Sequence, residues 1–398
     1  MNDYRTRILR NLDEVHAPAW DGLVRASTGA DAPTFLRHDF LAALERNGCV
    51  GPGTGWQPEH LCLFDGERLA AAAPLYRKRH SWGEYVFDWA WADAYERHGL
   101  RYYPKLVCAV PFTPVTGPRL LAPDRPARDA LAAALVAHAR ATRVSSLHVL
   151  FPDHADVEAL QAQELSMRRG VQFHWRNGGY RSFDDFLASL AQPKRKKIRA
   201  ERRKVREAGV SFLRLTGGEI GAAQLDFFVR CYDATYAAHG STPYLGRGFF
   251  GEIARSMGDR LILVLAIRDG RPIASSLLVR DEDRLYGRYW GAVEHVPCLH
   301  FETAYYQAIE AAIELGVQAI EGGAQGEHKM ARGFLAEQTC SLHWLAEPAF
   351  ADAVDRFLAR EGQAIDGYLD ELTERSPFRA EAPPAPPALP ATGAGPAA

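Results

Sequence analysis

The chain contains a weak copy of itself. The segment Leu61-Cys-Leu-Phe-Asp65-Gly66-Glu-Arg-Leu69-Ala70 aligns without a gap to Leu265-Ala-Ile-Arg-Asp269-Gly270-Arg-Pro-Ile273-Ala274 at an offset of 204 residues, and the same offset pairs Gly83 with Gly287 and Tyr85 with Tyr289. Each copy is an apolar run, an Asp-Gly turn and a second apolar run, the pattern of a β-hairpin with a third strand to follow. Just upstream, Pro33, Arg37 and Phe40 match Pro243, Arg247 and Phe250. A helix followed by antiparallel strands is therefore expected twice.

In the second copy, residues 300–315 place Phe301, Tyr305, Ala308, Ile309, Ala312 and Ile313 at helical spacing, and Gly316 supplies a stop. Residues 317–321 read as a buried strand feeding the glycine-rich segment 322–333. In the first copy, residues 128–141 are the matching helix and 145–151 the strand. The expected fold class is mixed α+β, with two units of like topology that each join hairpins to a helical crossover. The expected domains are residues 1–178 and 179–375, followed by a disordered Pro/Ala-rich tail at 376–398. A chain of 398 residues has room for two such units at about 150 residues per domain. Its 24% charged and 11% aromatic content exclude a mainly disordered, collagen-like or coiled-coil chain.

Forty-seven Lys and Arg face 49 Asp and Glu, for a net charge of −2, so no global field recruits nucleic acid or an anionic membrane. The six cysteines stand singly, with no CxxC pair, and read as reduced thiols; no metal site is expected. The N-terminus lacks an apolar stretch of signal-peptide length, and the longest apolar run, 261–267, is far below the ~20 residues that span a bilayer. A cytoplasmic protein with no integral membrane segment and no obligate protein partner is expected. Residues 389–393 spell the sortase pentapeptide LPATG, but only five small residues follow, so the string reads as a coincidence of tail composition.

Several longer strings carry a resemblance. Residues 84–95 (EYVFDWAWADAY), 103–106 (YPKL), 110–119 (VPFTPVTGPR), 300–302 (HFE) and 323–334 (GAQGEHKMARGF) closely resemble the FemA/FemB-like N-acyltransferase family, often labelled peptidoglycan biosynthesis/recognition proteins. The resemblance runs over about residues 5 to 375. It implies two tandem GNAT-like domains and transfer of an acyl group to an amine. GNAT proteins that use acetyl-CoA carry an [RQ]-x-x-G-x-[GA] loop before the crossover helix. Here Arg288-Tyr-Trp-Gly291-Ala-Val293 matches it only in part, which departs from the coenzyme A pattern.

Acyl transfer to an amine needs a base, donors for a developing oxyanion and a cleft that aligns two substrates. No GxSxG elbow and no activated cysteine are present, so no covalent nucleophile is expected. The segment 322–334 concentrates four glycines among an acid, an imidazole, an amine and a guanidinium, a loop whose backbone can approach a ligand closely. Glu327 or His328 is the expected base, and Lys329, Arg332 and Gln325 expected substrate contacts. His300 and Glu302 open the crossover helix; Glu302 is equally a helix-start carboxylate. Arg288 and Trp290 precede that helix as further candidates. In the first copy Asp88, Trp89, Trp91 and Tyr95 alternate as in a half-buried strand, with core packing expected for the tryptophans and amine recognition for Asp88 and Tyr95.

Residues 194–206 hold nine positive charges and one negative, framed as a helix by Pro193 and Gly209. Ile198 and Val205 give only a thin apolar seam. Lys194, Arg195, Lys197, Arg199, Arg202 and Arg203 are candidate phosphate contacts. They suit a tRNA backbone, a diphosphate lipid head group or coenzyme A. The expected function is an N-acyltransferase acting on a small-molecule or lipid-linked amine, with no tightly bound cofactor and acyl-CoA or aminoacyl-tRNA as co-substrate. The alternatives are an aminoacyl-tRNA-dependent transferase acting on a peptidoglycan precursor and a non-catalytic binding module.

Overall fold

The computed structural model describes residues 4–29, 32–323 and 326–379. The first half contributes strands β1 (Arg5–Leu9), β2 (Trp56–Pro58), β3 (His60–Asp65), β4 (Arg68–Ala73), β5 (Leu75–Lys78), β6 (Lys105–Cys108), β7 (Ser146–Leu150) and β8 (Ser166–Arg176). The second contributes β9 (Val210–Thr216), β10 (Leu261–Arg268), β11 (Arg271–Arg280), β12 (Arg284–Ala292), β13 (Ala319–Glu321) and β14 (Phe334–Leu345). The architecture is the expected mixed α+β one.

Both hairpins of the repeat form, and they differ by one residue in a way the gapless alignment conceals. In β10–β11, Arg268 faces Arg271 and the turn is Asp269-Gly270, both at positive φ (52° and 72°). In β3–β4, Asp65 remains in the strand opposite Arg68, and the turn is Gly66-Glu67 with Gly66 at φ 59°. A two-residue hairpin turn accepts either two positive-φ residues or a glycine at its first central position. The same dipeptide therefore serves two turns.

The third strand also differs. In the second half β11 runs on to β12 within one sheet. In the first half Pro74, which has no N–H to donate, separates β4 from β5 and the chain changes sheets there. The strands β1, β3 and β4 form a three-stranded sheet, and the other strands one 11-stranded sheet in the order β2-β5-β6-β7-β14-β8-β13-β12-β11-β10-β9. Within it, β14 of the second half lies against β7 of the first, and β8 of the first half lies against β13 of the second. These two strands pair with each other from Phe334↔Trp175 to His343↔Ser166. Glu337 on β14 seals the join, accepting hydrogen bonds from Arg176 and pairing with His174 on β8.

Helices cover the sheets through apolar stripes. The helix Arg125–Ala141, capped by the Asp124 carboxylate on the Ala127 N–H, sets Leu131, Leu135 and Ala139 against Leu106, Leu147 and Val149. In the second half the crossover helix runs from Leu299 to Leu315, with one π-helical turn at Glu302–Tyr306 and Gly316 (φ 67°) as its stop. It buries Tyr306, Ile309 and Ala312 against Ile262, Leu285 and Ile320. The basic segment forms the helix Gln192–Glu207, in which Glu201 is buried together with Ile198 and Val205.

The aromatic segment 88–95 is a correction: Trp89–Arg97 is a helix. The Trp-Ala-Trp alternation imitates a strand, but buried Trp91 and Tyr95 lie four apart on one helical face, while Trp89 is half-buried and packs on Trp82. Among the described residues no helix is long and apolar enough to cross a membrane. Gln325 and the LPATG string lie outside the described residues.

Candidate active site

Parallel strands β12 and β13 pair at only three positions, from Arg284↔Ala319 to Tyr286↔Glu321. Beyond them β12 continues, while the other chain turns away through Gly322 and Gly323 (φ 82°). The split opens a cavity of about 260 Å³. Its walls are β12 residues 287–290, His300, Ala304 and Tyr305 of the crossover helix, Phe334 of β14, and Tyr85 from the first half. Tyr232, Thr235 and Tyr236 enter from the helix Ala222–Ala238, whose spacing puts them on one face. That helix sits so close to β12 that a Cβ on Gly291 would lie 1.9 Å from the Cys231 carbonyl oxygen. A β-bulge re-aims β12 at the cavity: Leu277 faces Tyr289 and Leu278 faces Gly287, leaving Arg288 as the extra residue.

Tyr85 and Tyr289, matched by the 204-residue offset, both line this cavity. Tyr289 is in a strand; Tyr85 is in the loop after β5, at φ 61°, a conformation that costs a non-glycine residue roughly 1–3 kcal/mol. Tyr85 also borders a second cavity, of about 220 Å³, walled by Arg168, Thr339, Ser341 and Glu361.

The site has an imidazole pair. His300 packs 4.8 Å from the Trp290 ring, and His328 Nε2 lies 3.2 Å from the Tyr305 hydroxyl. Burial, reinforced by the charges of His328, Arg332 and Lys329, pulls His300 down to about 4. Burial and the same two cations, Lys329 and Arg332, lower His328. Both rings are therefore neutral acceptors near pH 7. Lys329 is 3% exposed, donates to the Gly323 carbonyl at 3.0 Å, and is pulled down to about 8 by burial.

Other expected site residues are placed elsewhere. Arg332 is buried with its guanidinium on Glu201 (2.8 Å), on the His328 carbonyl and 3.4 Å from the centre of the Phe301 ring. Tyr306 also donates to Glu201, so a buried carboxylate of the basic helix anchors both the site loop and the π-turn. Glu302 is buried, accepts from Arg202 and Gln307, and is raised by burial. Glu327 points outward, accepting from Tyr368 at 2.6 Å with Arg375 3.6 Å away. Arg288 is on the strand, donating to the Phe112 carbonyl, and so does not form a pyrophosphate loop at the helix start. On the basic helix, Arg202 turns inward to Glu302 and Glu310. Lys197, Arg199 and Arg203 are exposed, and Lys194 and Arg195 half-buried.

Asp88 and Tyr95 are interior. Lys105 donates to Asp88, to Glu84 at 2.8 Å and to Ser81 at 2.8 Å; Tyr102 also donates to Asp88. Lys78, beside Glu84 and stacked on Trp56, is pulled down to about 7 by burial. His148 and His343 join this network across β7 and β14. Sequence reasoning singled out only Asp88 of this network, although Glu84 and Lys105 lie in the strings that carry the resemblance; Lys78, His148 and His343 join from β5, β7 and β14 with no motif spacing. Among the described residues, no group of three His, Cys, Asp or Glu is placed to hold a metal ion.

Comparison with solved structures finds FemX at 12% identity and a TM-score of 0.53, covering 86% of this chain and 98% of that one. A tandem GNAT protein from the clavulanic acid biosynthesis pathway is similar at 14% identity and a TM-score of 0.46, covering 87% and 99%. L-PGS from Bacillus licheniformis is similar at 11% identity and a TM-score of 0.47, covering 80% and 95%. No curated protein matches the sequence significantly. The likeness to FemX shows that the chain shares its fold. The FemAB-like family model, described as peptidoglycan biosynthesis/recognition, matches residues 11–380, and the protein belongs to that family.

Proposed function

We propose that the protein transfers an acyl or aminoacyl group to an amine within the cavity between β12 and β13. The observation that carries this reading is the Tyr305–His328 pair: a hydroxyl in the cavity wall lies 3.2 Å from a neutral imidazole that is itself exposed to solvent. As the amine nitrogen attacks the acyl carbonyl, the new N–C bond forms and the C–S or C–O bond to the donor breaks. The amine proton passes through Tyr305 to His328 Nε2 and on to water, and the leaving thiolate or alkoxide takes a proton in exchange. Lys329, buried beside Gly322 and without a carboxylate partner among the described residues, stabilises the oxyanion of the tetrahedral intermediate.

The donor is an acyl-CoA or an aminoacyl-tRNA, with outward cations of the basic helix on its phosphates. That helix is tied to the site through Glu201–Arg332 and Arg202–Glu302. The net +8 charge of residues 194–206 favours the longer phosphate chain, which makes an aminoacyl-tRNA-dependent reaction on a peptidoglycan precursor the second reading. Thermal unfolding with coenzyme A and with aminoacyl-tRNA in separate samples tests the two, since a ligand of the native state raises the midpoint. A raised midpoint with one donor, followed by transfer to an amine, establishes the reaction. Turnover unchanged in His328→Ala excludes the proton path.

A further inference from the structure

A carboxylate occupies a core position of the basic helix. Ile198, Glu201 and Val205 form its buried stripe, and Glu201, the one acid among residues 194–206, is 8% exposed. Spacings of three and four residues put all three on one face, where an apolar side chain would serve helix packing as well or better. A buried ion pair seldom gains stability over apolar residues of similar volume, because desolvation offsets the attraction. Packing alone therefore does not account for Glu201, and the partners of its two oxygens suggest another role.

Each oxygen holds a different part of the site. Oε1 accepts from the Arg332 guanidinium at 2.8 Å, and Arg332 in turn donates to the His328 carbonyl at 2.6 Å while lying over the Phe301 ring. Oε2 accepts from the hydroxyl of Tyr306, the last residue of the π-helical turn. The next residue of the basic helix, Arg202, donates to Glu302, the first residue of that turn, so residues 201 and 202 clamp its two ends. Such turns are rare and recur at functional sites. Tyr305 and Tyr306 are consecutive and leave the helix in different directions, Tyr305 into the cavity wall and Tyr306 toward Glu201. The two partners of the 3.2 Å Tyr305–His328 contact therefore stand on two backbone segments that meet at one carboxylate.

We propose that Glu201 is a positioning residue for the Tyr305–His328 proton path: acting through Arg332 and Tyr306, it sets the spacing of the two groups and holds the imidazole with Nε2 as the acceptor. With Tyr305 donating to Nε2, the ring proton sits on Nδ1, the minor tautomer of a free histidine side chain. The catalytic consequence rests on the proposed transfer reaction, and the positioning does not.

The test reads the imidazole nitrogens of the full chain by NMR after labelling histidine with nitrogen-15, at about pH 8, where His328 is neutral. His328→Ala assigns the signals. Wild type is compared with Tyr306→Phe, which deletes one hydroxyl, and with the double variant Glu201→Met/Arg332→Met, which replaces the ion pair by apolar residues and so keeps the fold. Unfolding midpoints of all three serve as controls. The expected result is a wild-type His328 protonated mainly on Nδ1, with the Nδ1–H to Nε2–H ratio falling about five-fold in both variants, the ratio one hydrogen bond of ordinary strength supports. In the transfer assay, Tyr306→Phe should lower kcat about ten-fold and leave both KM values within about two-fold. A wild-type proton on Nε2, a ratio unchanged in both variants or changed only where the midpoint also collapses, or a loss confined to KM would each overturn the proposal. A ratio that follows Glu201 and Tyr306 in a protein that transfers no acyl group supports the positioning and removes the transferase reading alone.

Discussion

Two regions of the molecule bury polar side chains in opposite ways. In the first, Lys78 and Lys105 face Glu84 and Asp88, with Tyr102, His148 and His343 around them, and the charges close on one another. In the second, Arg288, Tyr232 and His300 line an open cavity, and no carboxylate lines it among the described residues. The first cluster balances its charges within the chain, whereas Arg288 lines the cavity with no carboxylate beside it among the described residues. Burial of charge alone thus does not mark a site; the sign balance does.

The sharpest way to break this comparison is Lys105→Met. It leaves Asp88 and Glu84 buried without their principal cation, and about 3–5 kcal/mol of stability should be lost in urea unfolding. Arg288→Gln should change the same curve by no more than about 1 kcal/mol, because the residue it alters has no charge partner among the described residues. Equal losses would erase the distinction.

A second contrast concerns protons. His328→Ala should lower turnover about 100-fold. In wild type the rate should rise with pH as His328 deprotonates, with a midpoint below the ordinary 6.5 because burial and two cations disfavour the charged ring. The variant's pH profile should be flat over that limb.

Smaller effects probe the join and the periphery. Despite burial, His174 and Arg176 hold Glu337 down to about 2, against 4.5 for an ordinary glutamate. Its folded-state contribution is complete above pH ~4.5 and is lost as pH falls through about 2, so Glu337→Gln should flatten the acid-side fall of the unfolding midpoint. Lys197→Ala with Arg203→Ala should leave unfolding unchanged and reduce the salt dependence of aminoacyl-tRNA binding, with a slope smaller by about one to two units.

Much of this was legible in the chain. The duplicated hairpins, the crossover helix with its Gly316 stop and the basic helix follow from periodicity and turn chemistry, all of which act within a few residues. The glycine-rich loop pointed to His328 and Lys329, and Arg288, Trp290 and His300 also stood out. What periodicity does not carry is partner choice. Arg332 and Arg202 looked like free cations, but Glu201 and Glu302, distant in sequence, take them inward. Tyr232 gave no signal, because its place in the cavity wall exists only after the helix Ala222–Ala238 has docked on Gly291. The helix at Trp89–Arg97 was masked by an alternation that fits two periods.

The placement of β8 and β14 has a further consequence. The strand β8 lies between β13 and β14, and β14 between β7 and β8, so each half lends a strand to the other, the arrangement of a domain-swapped dimer whose two protomers share one polypeptide. Cut between residues 178 and 179, the chain would yield two fragments that each present an unpaired edge and lack a central strand. Their rescue should come from complementation, each fragment templating the other, and neither should fold well by itself.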